Sequence, residues 1–282
     1  MQANRGCYSL RALCTALQVS RSGYYAWCDR DKSPCPLNQA IERQFKQDKA
    51  RAGAPSIAHA LQQTGMVCSI RTVGRRMQRL GLRARYAKKF KRTTDSRHSH
   101  AVVPNHLARQ FVVGAPNRVW VGDITYLRTT QGWLYLAVFI DLFSRRVVGW
   151  QLSERIDAQL VCDALQAAML MRGKPKGVLI HSDQGSQYCS AGFVKQVAHF
   201  KAMQSMSRRG NCWDNAPTES FWGRLKTASV HGQKFATREQ ARQAVMDWMA
   251  FYNHRRLHSS LGYLSPMQYE QRWYEAQRKK AA

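Results

Sequence analysis

The chain has 282 residues, of which 44 are Lys or Arg and 17 are Asp or Glu, so its formal net charge is +27. This charge argues against a typical acidic metabolic enzyme and favours a polyanionic partner, above all nucleic acid, because a strongly basic surface attracts phosphates. The longest apolar run, residues 133–140, is far shorter than the roughly 20 residues of a membrane-spanning helix, and we predict neither a membrane partner nor a signal peptide.

Two short helices are predicted at the start of the chain. Ser9 is placed to cap a helix that reaches Leu17, and Ser20 is placed to cap a second helix after a tight turn. A capped helix after a turn is typical of a helix-turn-helix. We therefore assign residues 1–36 to a short helix-turn-helix-like segment.

A second helical region follows, over residues 37–86. We predict a helix over residues 38–50, a second helix capped by Ser56, and a third capped by Ser69. The outward face of the third helix carries four arginines, Arg71, Arg75, Arg76 and Arg79. A basic helix after a turn is suited to the major groove of DNA, so we predict a DNA-binding domain here. A solvated basic face on an ordinary helical bundle is the alternative.

The elements change character along the rest of the chain. Residues 87–117 are basic and lack apolar periodicity, so we interpret them as a linker that follows a phosphate backbone. Strands are then predicted over 119–127, 133–140, 146–152, 178–180 and 201–206, with helices over 157–171, 193–199, 216–230 and 237–253. This order predicts an α/β fold, a mixed sheet with helices on its faces.

The eight cysteines are scattered and include no CxxC pair. The close histidine pairs, His98 with His100 and His254 with His258, lie far from any paired cysteines. The pattern therefore argues against a zinc site and favours reduced thiols.

Three acidic residues are unusual in so basic a protein. Asp123 lies within the first predicted strand, Asp183 follows the fourth, and Glu219 lies on the helix after Pro217. Carboxylates that converge in a half-buried site repel one another unless a cation joins them. Hard oxygen ligands in a phosphate-binding protein select Mg²⁺ or Mn²⁺, and we expect two such ions. Three independent surface or capping acids are the alternative.

Four stretches carry a resemblance to a known family. They are residues 120–126 (WVGDITY), 181–188 (HSDQGSQY), 207–222 (SRRGNCWDNAPTESFW) and 252–263 (YNHRRLHSSLGY), and 35 residues separate Asp183 from Glu219. The chain resembles the DDE transposase and retroviral integrase superfamily. It is most similar to transposases encoded by the second open reading frame (OrfB) of frameshifting bacterial insertion sequences. The resemblance covers about residues 5–272.

The resemblance implies a ribonuclease H-like integrase core over residues 118–275, preceded by small all-α modules, with a basic tail over 276–282. It implies that Asp123, Asp183 and Glu219 form the metal-binding catalytic triad, and that Lys226 approaches the DNA end. Cutting by water would leave a 3′-hydroxyl, which would then attack another phosphodiester. A circular intermediate and a multimer on paired element ends are further implications.

We accordingly expect double-stranded DNA, both element ends and target, as the main partner. The resemblance implies a second partner, the product of an upstream reading frame, either separate or joined by frameshifting, and a homo-oligomer on DNA. We expect a cytoplasmic, nucleoid-associated protein. Two other functions remain open: a helix-turn-helix regulator with a non-catalytic sheet domain, and a metal-dependent nuclease without strand transfer.

Several residues near these motifs have two interpretations. Arg208 and Arg209 adjoin Gly210 in a loop before Glu219 and are candidates to grip phosphates. Asp141 either assists the metal site, or it caps a turn or pairs with Arg145 or Arg146. For Trp213 and Trp222 the alternatives are stacking on frayed bases and packing in the core. For Arg255, Arg256 and His258 they are DNA contact and a solvated turn.

Overall fold

The structure is a computed structural model. It describes residues 1, 4, 6–28, 35–84, 102–208, 212–230 and 233–281, without the side chains of residues 212 and 213. The helices are α1 (Leu10–Ala16), α2 (Arg21–Cys28), α3 (Pro36–Gln47), α4 (Ala54–Gln63), α5 (Ile70–Arg79), α6 (Ala158–Met171), α7 (Ala191–His199), α8 (Ala216–Leu225), α9 (Arg238–His254) and α10 (Pro266–Ala281). The strands are β1 (Val119–Thr129), β2 (Gly132–Asp141), β3 (Val147–Ser153), β4 (Leu179–Ser182) and β5 (Met203–Met206).

Serine side chains cap the first turns of α1, α2 and α5, as predicted. Ser9 accepts a hydrogen bond from the Ala12 amide, Ser20 accepts one from Gly23, and Ser69 accepts one from Thr72. These bonds satisfy amides that lack a partner within the helix. Helices α3, α4 and α5 then enclose a small core of their own, which includes Ile57 and Val73.

The predicted cap at Ser56 was wrong. Helix α4 begins at Ala54, and Gly53 occupies the N-cap position without a side-chain hydrogen bond. Pro55 explains the earlier start, because its fixed φ and missing N–H suit the first turn of a helix. Helix α3 likewise begins earlier than predicted, with Pro36 in its first turn.

The five strands form one mixed sheet in the order β3-β2-β1-β4-β5. The β1–β2 and β2–β3 pairs are antiparallel, and the β1–β4 and β4–β5 pairs are parallel. Gly122 allows close packing within this sheet, because a Cβ there would lie 2.5 Å from Cε1 of Phe139. The predicted α/β fold, a mixed sheet flanked by helices, is confirmed.

Alternate residues of the central strands enter two apolar cores on opposite faces of the sheet. Val138 and Ile140 of β2 pack in the core that includes residues of α8 and α9, whereas Phe139 packs in the core that includes residues of α6 and α7. This alternation follows from the two-residue period of a strand. Burying each large apolar side chain contributes about 1.5–3 kcal/mol, so both helical layers are held firmly.

The second half of the predicted linker is part of the core domain. Residues 102–117 contain no helix or strand, yet Leu107 is buried in the core beside α8 and α9. The amides of His106 and Leu107 both donate to Ser205 Oγ, at 2.9 and 3.3 Å. These contacts fix this stretch against the sheet domain. The first half, residues 85–101, lies outside the described residues.

The C-terminal part differs from the prediction in two places. After α8 the backbone continues as a π-turn, Lys226–Val230, instead of further α-helix. The expected tail after residue 275 is helical, since α10 extends to Ala281. Buried Glu270 anchors α10, because its carboxylate accepts from Ser144 Oγ at 2.7 Å and pairs with Arg146 and Arg172.

The helical region of α3–α5 contacts the sheet domain through α9 and the loop after it. Asp247 of α9 pairs with Lys49 at 2.9 Å and with Arg51 at 2.6 Å. Arg255 pairs with Asp48 at 3.0 Å, so charged contacts cross this boundary at two points. Within the described ranges, no helix is long and apolar enough to cross a membrane.

Candidate active site

Two aspartates lie side by side where β4 ends. Val121 of β1 is paired in parallel with His181 of β4, and Asp123 and Asp183 each follow two residues later. Both residues are half-buried. Asp183 Oδ1 accepts a hydrogen bond from the Gly185 amide at 3.0 Å, which fixes the turn after β4. The parallel register therefore brings together two of the three predicted catalytic carboxylates.

Helix α8 contacts Asp123 through a tryptophan. Trp222 is buried, and its Nε1–H donates to Asp123 Oδ2 at 2.8 Å. The amide of Ile124 donates to the other oxygen, Oδ1, at 2.8 Å. Both oxygens of Asp123 therefore accept hydrogen bonds, which orient the carboxylate. Of the two sequence interpretations of Trp222, core packing is the one observed, and its bond to Asp123 was not predicted.

Glu219 lies in the first turn of α8, three residues before Trp222, and its side chain is exposed. It is adjacent in the chain to buried Thr218, whose hydroxyl donates to the Asn215 carbonyl at 2.8 Å. Glu219 is thus carried by the helix that holds Asp123, although it does not share the half-buried position of the two aspartates.

The site disfavours negative charge in the absence of a cation. Burial, followed by the charge of Asp183, raises the pKa of Asp123 to about 7, although the hydrogen bonds from Trp222 and Ile124 oppose this rise. Tyr188 is buried nearby, and burial together with both carboxylates raises its pKa well above the usual range. Its hydroxyl has no hydrogen-bond partner within the described part of the chain. Burial therefore disfavours the charged form of Asp123.

No group of three His, Cys, Asp or Glu side chains that could hold a metal ion occurs among the described residues. The pair Asp123 and Asp183 nevertheless fits a divalent cation, because it offers hard oxygen ligands whose mutual repulsion a cation would remove. Glu219 differs from this pair in being exposed.

Lys226 is buried at the start of the π-turn, with Nζ 5.3 Å from the centre of the Tyr126 ring. Burial lowers the pKa of its ammonium group to about 8, while the negative charge of Asp123 acts in the opposite direction. Lys226 follows Glu219 by seven residues, and its backbone is still α-helical directly after Leu225, where α8 ends. Lys226 thus faces the interior beside Asp123.

Arg208 is engaged by a buried acid just before α8. Asp214 is buried and forms an ion pair with Arg208 Nη2 at 3.0 Å and with Arg109 Nε at 2.8 Å. These partners hold the pKa of Asp214 well below its usual range. Asn215 occupies the N-cap position of α8 without a side-chain hydrogen bond. Arg209 lies outside the described residues.

The four arginines of α5 do not share one environment. Arg71, Arg75 and Arg79 are exposed, as expected for a surface that meets DNA. Arg76 instead turns towards α3, where its guanidinium donates to Asn38 Oδ1 at 2.7 Å. The expected outward position of Arg76 was therefore wrong. Arg71, Arg75 and Arg79 are spaced by four residues and so share one face of α5. Arg76 comes one residue after Arg75 and therefore points in a different direction.

Asp141 serves the turn between β2 and β3. Its carboxylate is fully buried and accepts from the amides of Asn117 at 2.7 Å and Phe143 at 2.9 Å. The nearest cation is Arg172, at 3.6 Å, and not Arg145 or Arg146. Burial raises the pKa of Asp141 to about 6. The turn-capping interpretation is therefore supported, with a different ionic partner.

The residues after α9 are engaged within the protein. Arg255 pairs with Asp48, as described above, and Arg256 lies 5.7 Å from the centre of the Tyr252 ring. His258 packs edge-on against the same ring. Burial, reinforced by nearby arginine charges, lowers the pKa of His258 to about 2. A fully solvated turn is thus the wrong description of this segment.

Three family models match the chain. A model described as HTH-like domain covers residues 36–90, and two models described as integrase core domain cover residues 114–212 and 201–266. The matched ranges coincide with the helical region and with the sheet domain that carries the aspartate pair.

Curated relatives extend over nearly the whole chain. Transposase InsF for insertion sequence IS3A of Escherichia coli strain K12 is 42% identical over 271 residues, which cover 93% of this chain and 94% of that protein. The insertion element IS600 uncharacterized 31 kDa protein of Shigella sonnei is 36% identical over 271 residues, covering 93% of this chain and 99% of that protein.

Similarity to solved structures is weaker. An intasome of simian T-cell lymphotropic virus in complex with PP2A regulatory subunit B56 gamma has a TM-score of 0.49 and 16% identity, covering 82% of this chain and 74% of that chain. The HTLV-2 integrase catalytic core domain in complex with magnesium has a TM-score of 0.43 and 18% identity. The match covers 55% of this chain and 97% of that chain. Similarity at this level does not bear on the chemistry of this chain.

Proposed function

We propose that this chain, which belongs to the family of insertion-sequence transposases with an integrase core domain, cuts and joins DNA strands with Asp123, Asp183 and Glu219. The family predicted from the four sequence motifs is confirmed by relatives 42% identical over 271 residues. The observation that supports the catalytic assignment most directly is the pairing of Asp123 with Asp183 where β4 ends. Their shared position, together with the raised pKa of Asp123, indicates a site built for a cation.

We propose that Asp123, Asp183 and Glu219 would hold two divalent ions, Mg²⁺ or Mn²⁺. When bound, such ions supply charge neutralisation at the phosphate and favour the deprotonated form of an attacking water or hydroxyl. The residues of the chain supply orientation: Trp222 and the Ile124 amide fix the two oxygens of Asp123, and Gly185 fixes Asp183. Such fixed positions favour in-line attack on a phosphodiester.

We further propose a division of labour between the domains. Residues 37–86 would bind element-end DNA through the exposed arginines of α5, and residues 118–275 would catalyse strand cleavage and transfer. The buried Lys226 would act on the DNA end only indirectly, through the charge it places beside Asp123. Assembly of several copies on paired ends, a partnership with an upstream reading-frame product, and action on nucleoid DNA in the cytoplasm complete the proposal.

The proposal is tested with a labelled duplex taken from the DNA that flanks the gene. Wild type should give cleaved and joined products with Mg²⁺ or Mn²⁺, and EDTA or Asp183→Asn should abolish both while DNA binding persists. Asp163→Asn is the matched control, because this acid lies on α6 and accepts a bond from Gln159 at 2.7 Å. Cleavage without joining would favour a nuclease. Binding without a metal-dependent product, also in a reconstructed fusion protein, would overturn the catalytic assignment.

A further inference from the structure

A basic cavity lies on α8, away from the two aspartates. Its volume is about 350 Å³. The lining residues come from the first and last turns of α8, the β2–β3 turn, the end of α9 with the segment after it, and the stretch before β1: Phe111, Arg145, Ala216, Pro217, Ser220, Phe221, Arg224, Tyr252, Arg256, His258, Ser259 and Ser260. None of these residues is acidic, whereas three are arginines.

The three arginines have little compensating negative charge. Arg224 is exposed and forms no ion pair with any residue in the described ranges. Arg256 faces the Tyr252 ring, and Arg145 donates to the Phe111 carbonyl at a long 3.4 Å. Asp141, the acid nearest in sequence, attracts Arg145, but its carboxylate is fully buried and bonds to backbone amides. The cavity therefore concentrates positive charge.

Arg145 takes a backbone conformation that favours glycine. Its φ is +62°, in the left-handed region, which costs an ordinary side chain about 1–2 kcal/mol. The sequence has arginine at this position, although glycine would adopt the positive φ without strain. A cost of this kind at a cavity is consistent with a role for the side chain in binding.

We propose that the cavity bounded by Arg145, Arg224 and Arg256 binds a phosphate group of DNA. This inference rests on the proposed function, since it assumes that DNA is the substrate. Guanidinium groups pair well with phosphate oxygens, and the start of α8 adds the partial positive charge of a helix N-terminus. The Ser220 hydroxyl, also on the cavity wall, supplies a further donor.

The bound phosphate is not the one that reacts. On α8, Ser220 and Arg224 line the cavity, whereas Trp222 faces Asp123. With 3.6 residues per turn these positions lie on different faces of a helix whose diameter is about 10–12 Å. The cavity would therefore hold a neighbouring phosphate and fix the path of the strand past the start of α8.

The test measures DNA binding in EDTA, so that catalysis does not contribute. The double variant Arg145→Gly/Arg224→Gln should weaken binding about 10-fold at physiological salt and reduce the slope of log affinity against log salt by about 0.9 for one lost phosphate. Lys176→Gln, an exposed charge before β4, is the control and should change the slope less. Arg145→Gly alone should not reduce the unfolding free energy, because glycine relieves the strain.

Neutral methylphosphonates placed one at a time along the duplex locate the phosphate. Wild type should lose affinity at one position where the double variant loses none. A comparison of duplexes that end in a 5′-phosphate or a 5′-hydroxyl then distinguishes a terminal phosphate monoester from an internal diester. An unchanged salt slope, or equal losses in both proteins at every position, would overturn the proposal. Metal-dependent cleavage by wild type is measured separately, so failure of the catalytic assignment is distinguished from failure of this proposal.

Discussion

Replacing Trp222 by phenylalanine removes one hydrogen-bond donor from the active site and leaves an aromatic ring in the core. The lost bond, Nε1 to Asp123 Oδ2 at 2.8 Å, is made to a carboxylate. Bonds to charged groups contribute about 1.5–3 kcal/mol. Since the pKa of Asp123 is already raised to about 7, loss of the donor should raise it further and leave the carboxylate less well oriented.

We expect the variant to need about 10–100-fold more Mg²⁺ for half-maximal strand cleavage, as is typical when a group that orients a metal ligand is lost. The assay is cleavage of a labelled element-end duplex over a Mg²⁺ series, with the unfolding free energy measured by denaturant on the same preparations.

Trp248→Phe is the matched control. Trp248 is equally buried, but its Nε1 has no hydrogen-bond partner among the residues the structure describes. It should therefore lose packing without changing the Mg²⁺ requirement. Equal Mg²⁺ requirements for the two variants would refute the orienting role of Trp222.

Two further predictions concern the stability of the fold. Gly122→Ala should cost about 1–3 kcal/mol of unfolding free energy in a denaturant titration, because its Cβ would lie 2.5 Å from Phe139; Gly192→Ala, with no atom within 4 Å, should cost nothing, and equal effects would contradict this reasoning. His258 is buried with its pKa lowered to about 2, so below the unfolded value of about 6.5 only the unfolded chain gains a proton, and stability falls as pH falls. Between pH 7.5 and 5.5 wild type should lose about 1.4 kcal/mol more than His258→Gln, and parallel pH profiles would show that His258 titrates in the folded protein.

The sheet and its two aspartates were predictable because their signals are local. Apolar runs mark the strands, and Asp123 and Asp183 interrupt or follow them. Their juxtaposition needed only the parallel pairing of β1 with β4, which the element order and the family resemblance both favour.

Other features depend on partners that are distant in sequence. The ion pairs of Asp214 with Arg109 and Arg208 leave no periodic pattern, so the sequence did not predict them. The burial of Lys226 follows from the π-turn, which apolar spacing does not reveal. Helix α10 was missed because its face is held by the charged Glu270 and not by a long apolar stripe.

The ion pairs between α9 and the helical region have a consequence for the DNA. Asp247 and Arg255 hold residues 48–51 against the domain that carries Asp123. If α5 binds the element end as proposed, the number of base pairs between the recognised sequence and the cut bond is set by this rigid contact and not by the length of residues 85–101. Lengthening that stretch would leave the cut position unchanged, whereas breaking the Asp247 pairs would let it vary from one duplex to the next.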